Sequence, residues 1–202
     1  EINFAEYYRA NLKDFSGTKL AGLISGLAET GSESDWEIVR SYESHSTPKV
    51  RAAVILASEK LTFGDNVWLF SKITDGCSCE IKAAKQVLLS RNEYTESEVI
   101  DLHADYSSGY KGKVLRQLIE KKSYWRAAKA LLEAMSKEDE DYSRELSDWL
   151  DKHGKAYWFV KPEIKLLVDI IELTIEVQAK LGRNDSLQSL HDMTVKLNNW
   201  NI

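Results

Sequence analysis

The chain has 202 residues, 43% hydrophobic and 29% charged, with only ten glycines and two prolines; this balance excludes disorder or a turn-rich sandwich and suits a helical protein with a sizeable core. A net charge of −5 and a pI near 5.5 give no overall basic field, so general affinity for nucleic acid is disfavoured. Cys77 and Cys79 are the only cysteines, which excludes a disulfide framework and a four-thiolate zinc site and points to a reducing, cytoplasmic setting.

Residues 1–33 contain FAEYYRANL and KLAGLISGLAET, where Leu23, Ile24 and Leu27 fall near the helical period. They are expected to form an N-terminal cap of helices. Beyond them the chain repeats itself. Ser34, Asp65 and Thr95 are N-cap candidates spaced thirty-one and then thirty residues apart, each followed by an apolar pair: Ile38 and Val39, Leu69 and Phe70, Val99 and Ile100. Ser34 with Glu37, and Thr95 with Glu98, have capping-box spacing. A fourth such helix is expected from Ser123.

A second helix completes each unit. A shift of thirty-one residues aligns Arg51, Lys82, Lys113 and Arg144. It also aligns Ala53, Ala84, Leu115 and Leu146, then Leu56, Val87, Leu118 and Trp149, then Ala57, Leu88, Ile119 and Leu150. These apolar columns lie close to one face of a 3.6-residue helix. Pro48 fits a first helical turn, where its missing donor is harmless. The segment WRAAKALL, Trp125 to Leu132, resembles the opening cassette but is out of phase with the basic column and belongs to a first helix. Polar clusters at Ser44–Pro48, Asp75–Ser78, Asp105–Gly109 and Ser136–Asp141 punctuate the units.

After Gly154 come AYWFV, Ala156 to Val160, a long helix opening at Pro162, and a last one near SLQSLHDMTVKL. The most apolar run, Ile164 to Val177, carries Lys165, Asp169, Glu172 and Glu176, which argues against a membrane span. The expectation is one helical-repeat domain over 1–202, with cap helices at 1–33, four repeats at 34–154 and cap helices at 155–202.

The segment TPKVRAAVILASEKL resembles the second helix of a HEAT repeat, particularly the short class of phycobilisome-lyase-like proteins. Val50, Arg51, Ala53, Leu56 and Ala57 carry the likeness, as do Asp75, Ile81, Lys82, Ala84, Val87 and Leu88. Gly112 and Ser143 depart from it, standing where the pattern has an aliphatic residue before the basic one. The resemblance, over roughly residues 34–154, implies an all-α, right-handed α–α superhelix of antiparallel helix pairs, armadillo-like, with second helices lining a concave face used for holding protein partners. It also implies a rival, since alkylbase DNA glycosylases are built from such repeats.

Two readings of Arg51, Lys82, Lys113 and Arg144 follow. They form a charged stripe along the groove that holds a protein partner such as an acidic peptide, or they pair with acidic loop residues such as Asp75, Asp105 or Asp139 and tie repeat to repeat. Trp149 falls in an apolar column and is expected in the core; Trp36, Trp68, Trp125, Trp158 and Trp200 are expected in core or rim. Tyr157, Trp158 and Phe159 lie between helices, where an aromatic cluster either plugs the stack or awaits a partner. His45, His103, His153 and His191 have no metal-ligand spacing, and His103 falls at a packed helical position. Cys77 and Cys79 flank a helix start and are read as structural. No phosphate cradle or nucleophile elbow occurs. No cofactor or metal is expected, and the function expected is a non-enzymatic protein-interaction scaffold or the sensing arm of a larger protein.

Overall fold

The computed structural model describes residues 3–138, 142–155, 157–182 and 184–199. Over these the chain forms twelve α-helices and a 3-10 turn, with no strand among the described residues. It divides into two compact units, residues 1–95 and 96–202. The division falls directly after Thr95, at the start of the third expected repeat.

The first unit holds α1 (Phe4–Asn11), α2 (Gly17–Thr30), the 3-10 turn Glu33–Asp35, α3 (Trp36–Arg40), α4 (Pro48–Lys60), α5 (Asn66–Thr74) and α6 (Ser78–Arg91). Its helix starts are closed by side chains. Asp65 accepts from the Trp68 amide at 2.7 Å, as its spacing predicts. Pro48 opens α4 at the first turn. The capping box expected at Ser34 and Glu37 is instead made by Ser32 and Asp35, which close the 3-10 turn ahead of α3. Cys77 and Glu80 form a further box at α6, so the thiol has a helix-capping role. Helix α4 packs against both α2 and α6. Leu20, Ile24, Leu27, Val39, Val50 and Val54 fill the core there.

The second unit holds α7 (Glu96–Asp105), α8 (Gly109–Lys122), α9 (Tyr124–Lys137), α10 (Ser143–His153), α11 (Ile164–Leu181) and α12 (Asp185–Asn199). Ser123 caps α9 by accepting from the Arg126 amide. Helix α9 packs against α8 and α11, and α12 against α10 and α11. Trp125, Leu132, Leu146, Trp149, Leu167, Ile170 and Leu190 form its core. No helix among the described residues is long and apolar enough to cross a membrane.

The apolar columns read from the sequence are the buried ones. Ala53, Ala84, Leu115 and Leu146 are all buried, as are Val87, Leu118, Trp149, Ala57, Leu88 and Ile119; only Leu56 and Leu150 of the set are half-buried. Burial of these faces drives the assembly, at roughly 25 cal/mol per Å² of apolar surface withdrawn from water.

Gly112 breaks the repeat pattern for a local reason. A Cβ there would lie 1.8 Å from the Ser107 carbonyl oxygen, because the preceding loop folds back over the first turn of α8. Gly22, on the exposed side of α2, has nothing within 4 Å of its added Cβ. Gly112→Ala is therefore expected to lower the urea midpoint sharply, whereas Gly22→Ala should raise stability by about 0.5 to 1 kcal/mol, the helix-propensity difference alone. Equilibrium urea unfolding followed by circular dichroism checks both.

Candidate functional site

Of the four cations aligned by the thirty-one-residue shift, only Arg51 is built into the structure. Its guanidinium donates from Nε and Nη2 to the two oxygens of Glu80, at 3.0 and 2.9 Å, and from Nη1 to the His45 carbonyl at 2.8 Å. This is a bidentate tie from α4 to the first turn of α6. The hydrogen bond from Arg51 holds the Glu80 carboxyl down at about 2, against its burial. The partner is thus a helix-start carboxylate, not the loop residue Asp75.

In the second unit the same arrangement is made by Arg116. It donates from Nε and Nη2 to Glu145 at 2.8 and 2.9 Å and from Nη1 to the Ser107 carbonyl at 2.7 Å. Arg116 is only 2% exposed, and its guanidinium lies over the Tyr142 ring at 4.9 Å. Lys113, the residue the shift selects, sits three positions away on the exposed side of α8. Lys82 and Arg144 are likewise exposed, and none of the three takes part in an ion pair among the described residues. Lys113 lines a cleft with Glu120, Glu145, Asp148 and Lys152, whose mixed charge makes no basic stripe. Asp139 lies outside the described residues.

Sequence reasoning missed Arg116, Glu80 and Glu145. One signal was available: Arg51 to Glu80 and Arg116 to Glu145 are both separated by 29 residues, as is a third tie, Glu43 to Lys72 at 2.5 Å.

His103 is buried beside this tie. Its Nε2 lies 3.2 Å from Nη1 of Arg116, and since a guanidinium only donates, Nε2 accepts and the ring is neutral. Burial, with Arg116 and Lys137 adding to it, lowers its pKa to about 4. The expected packed role for this residue holds.

The aromatic segment lies between α10 and α11. Trp158, Phe159 and Val160 are exposed by 45%, 77% and 58%, while Tyr157 packs against the second unit's core. Ala156 lies outside the described residues. The segment is anchored at its end: the Val160 carbonyl accepts from Tyr124 Oη at 2.7 Å and from Trp125 Nε1 at 2.6 Å. Trp149 Nε1 in turn donates to the Tyr124 carbonyl at 3.0 Å, and His153 stacks on the Tyr124 ring at 4.6 Å between centroids.

The sequence separation between bonded helices lengthens across this segment, as an insertion would make it. Side-chain ties between helices in the earlier part of the chain join residues 25 to 33 apart, including Trp68–Glu43, Arg51–Glu80, Ser107–Glu138 and His153–Glu120. Those reaching α11 and the start of α12 join residues 40 to 44 apart, as in Lys129–Asp169, Ser143–Asn184 and Lys180–Ser136. The extra length is accommodated between α10 and α11, where Tyr157, Trp158 and Phe159 stand.

The other described tryptophans are structural. Trp36, Trp125 and Trp149 are buried, and half-buried Trp68 donates Nε1 to Glu43 at 2.7 Å. Trp200 lies outside the described residues. Cys77 and Cys79 are both free and half-buried, with their sulfurs 3.1 Å apart. Burial, then the neighbouring Cys77 thiol, pushes the Cys79 thiol up. No cluster of three or more His, Cys, Asp or Glu suited to a metal occurs among the described residues.

Comparison with family models, curated proteins and solved structures finds no match to the chain.

Two outcomes follow from the arginine ties. Arg116→Ala leaves Glu145 and the Ser107 carbonyl without their donor and is expected to destabilise the fold by about 3 to 5 kcal/mol, against about 1 to 2 kcal/mol for Arg51→Ala, whose site is wetter. Urea unfolding at neutral pH checks the order. His103 gives a pH signature. Its folded pKa is depressed from the ordinary 6.5 to about 4, so the unfolded chain binds the extra proton and stability falls as pH drops through that window. The loss by pH 5 is on the order of 1 to 2 kcal/mol. In His103→Asn the slope between pH 6.5 and 5 is expected to flatten.

Proposed function

We propose that this chain is a non-enzymatic protein-interaction scaffold, or the sensing arm of a larger protein, acting in the cytoplasm, and that it holds its protein partner through the aromatic insertion. The helix pairs of each unit are read as HEAT-like and armadillo-like, winding as a right-handed α–α superhelix as the resemblance implies. The observation that carries the function is the insertion itself. Trp158 and Phe159 stand in solvent on a segment whose end is fixed by two hydrogen bonds to the Val160 carbonyl. Insertions in helical repeats commonly map to a binding face. Large aromatic rings at a fixed position are the usual energetic centre of a protein interface, and fixing them in advance removes much of the ordering penalty.

The basic column supports this reading less. Arg51 is spent on Glu80, and Lys113 shares its cleft with carboxylates, so an acidic peptide finds no uninterrupted cationic track. The rival reading as a DNA-binding protein or glycosylase needs such a track for the phosphate backbone.

Affinity purification with the chain as bait from its native host, followed by the Trp158→Ala/Phe159→Ala variant, tests the proposal. The variant is expected to melt within about 2 °C of the original, because both rings are exposed, yet to lose at least about tenfold in partner capture. Unchanged capture overturns the role of the insertion. Titration with duplex DNA at low and moderate salt is expected to give little binding; tight, salt-steep binding would establish the rival.

A further inference from the structure

Helix α11 has two apolar faces, and its unit uses one of them. Leu167, Ile170, Thr174 and Val177 are fully buried. Ile164, Val168 and Ile175 are exposed by 61%, 38% and 53%, and Ile171, between them in register, is half-buried. These four residues recur at intervals of four, three and four, the spacing of a seam that packs against another helix. This is the same run that stands out in the sequence for its apolarity.

The residues flanking the seam identify what covers it. On its solvent side, Lys165 lies beside the start of the stripe and Glu172 two turns further on. Neither makes an ion pair within 4 Å among the described residues; the Asp169 carboxylate, which Lys165 also influences at longer range, is bonded to Lys129 at 2.6 Å. If an identical helix is laid antiparallel on the stripe, Ile164 falls opposite Ile175 of the second copy and Val168 opposite Ile171. In that register Lys165 of each copy comes beside Glu172 of the other. The pattern is self-complementary under a two-fold rotation, as an isologous contact requires. A parallel arrangement would put the Lys165 and Glu172 of the two copies on opposite flanks of the seam, where neither meets an opposite charge.

We propose that the chain self-associates through α11, two copies pairing antiparallel along Ile164, Val168, Ile171 and Ile175 with reciprocal Lys165–Glu172 contacts. One helix face per copy is a small interface, at or below about 1,000 Å² in total, so the dimer is a reversible one with a dissociation constant in the micromolar range. The proposal is independent of the partner reading above.

Sedimentation velocity on the full chain from 1 to about 200 µM tests it. The original chain is expected to pass from monomer to dimer across that range, the weight expected for a small isologous contact. Val168→Glu should remain monomeric throughout with its helical circular dichroism retained. Should that variant fold poorly, the charge pair gives an independent test. Lys165→Glu and Glu172→Lys are each expected to weaken the dimer several-fold, and the double exchange to restore it, because it recreates the pair across the two-fold. A chain that is monomeric at 200 µM, a dimer that survives Val168→Glu, or a double exchange that recovers nothing each overturns the proposal. The two surfaces separate cleanly: Val168→Glu is expected to retain partner capture, and Trp158→Ala/Phe159→Ala to retain the dimer.

Discussion

The whole structure rests on one constraint. Short helices cannot bury their apolar sides alone, so within each unit they must be held against their neighbours at a fixed register. Apolar packing supplies most of the energy but is tolerant of sliding. The arginine ties are not. In each unit a guanidinium, Arg51 on α4 or Arg116 on α8, reaches a carboxylate in the first turn of a later helix, Glu80 on α6 or Glu145 on α10. That carboxylate sits at the positive end of its helix as well as against the guanidinium. Bidentate geometry fixes direction as well as distance, and the remaining guanidinium donor is spent on a loop carbonyl, His45 or Ser107, so the loop that opens each second helix is fixed by the same side chain.

A buried ion pair is a poor source of net stability, since withdrawing both charges from water offsets most of the attraction. Its value here is specificity. Arg116 has no competing solvent, and His103 on its flank is kept neutral and accepting. A helix pair shifted by one turn would leave that guanidinium facing apolar side chains. The same logic makes the fold sensitive to acid. Glu80, Asp35, Glu43, Glu120 and Asp169 all have their carboxyls held below the usual range by partnered cations or donors. Protonation removes the acceptor while the cation stays charged, so stability is lost as pH falls through these groups.

How much of this could be read beforehand differs between apolar and polar features. Columns such as Ala53, Ala84, Leu115 and Leu146 were legible because burial follows helix period over many residues, and an error of one position spoils every column at once. The tie in the second unit was not legible by the same shift. Helix α8 starts earlier relative to its arginine than α4 does, so a constant slide selects exposed Lys113 in place of buried Arg116. Charged residues do not average over a helix, and only the recurring interval from arginine to glutamate carries the information. Local caps were ambiguous where donors cluster: SESD offers two registers, and the chain takes the one at Ser32 because Asp35 is also held by Arg9 at 2.8 Å. The aromatic segment was visible as an irregularity, but whether it plugs or protrudes depends on what already fills the space beneath it.

That space is full. Tyr124, Trp125, Trp149 and His153 pack ring against ring, with centroids from 4.6 to 6.1 Å apart, under the end of the insertion. Tyr157 packs against the core and borders an open cleft with Leu150, Gly154 and Met193. Folding Phe159 inward would bury an aromatic side chain worth roughly 2 kcal/mol. It would also require displacing a ring already packed there or breaking the two hydrogen bonds to the Val160 carbonyl, each broken bond leaving a half-buried donor unsatisfied. The segment that carries the exposed rings is therefore tied down at its Val160 end, and the rings do not stand at a free loop tip. An apolar surface already exposed on a tethered segment is available to another molecule without a prior rearrangement, and its affinity for that molecule is not reduced by the energy of opening.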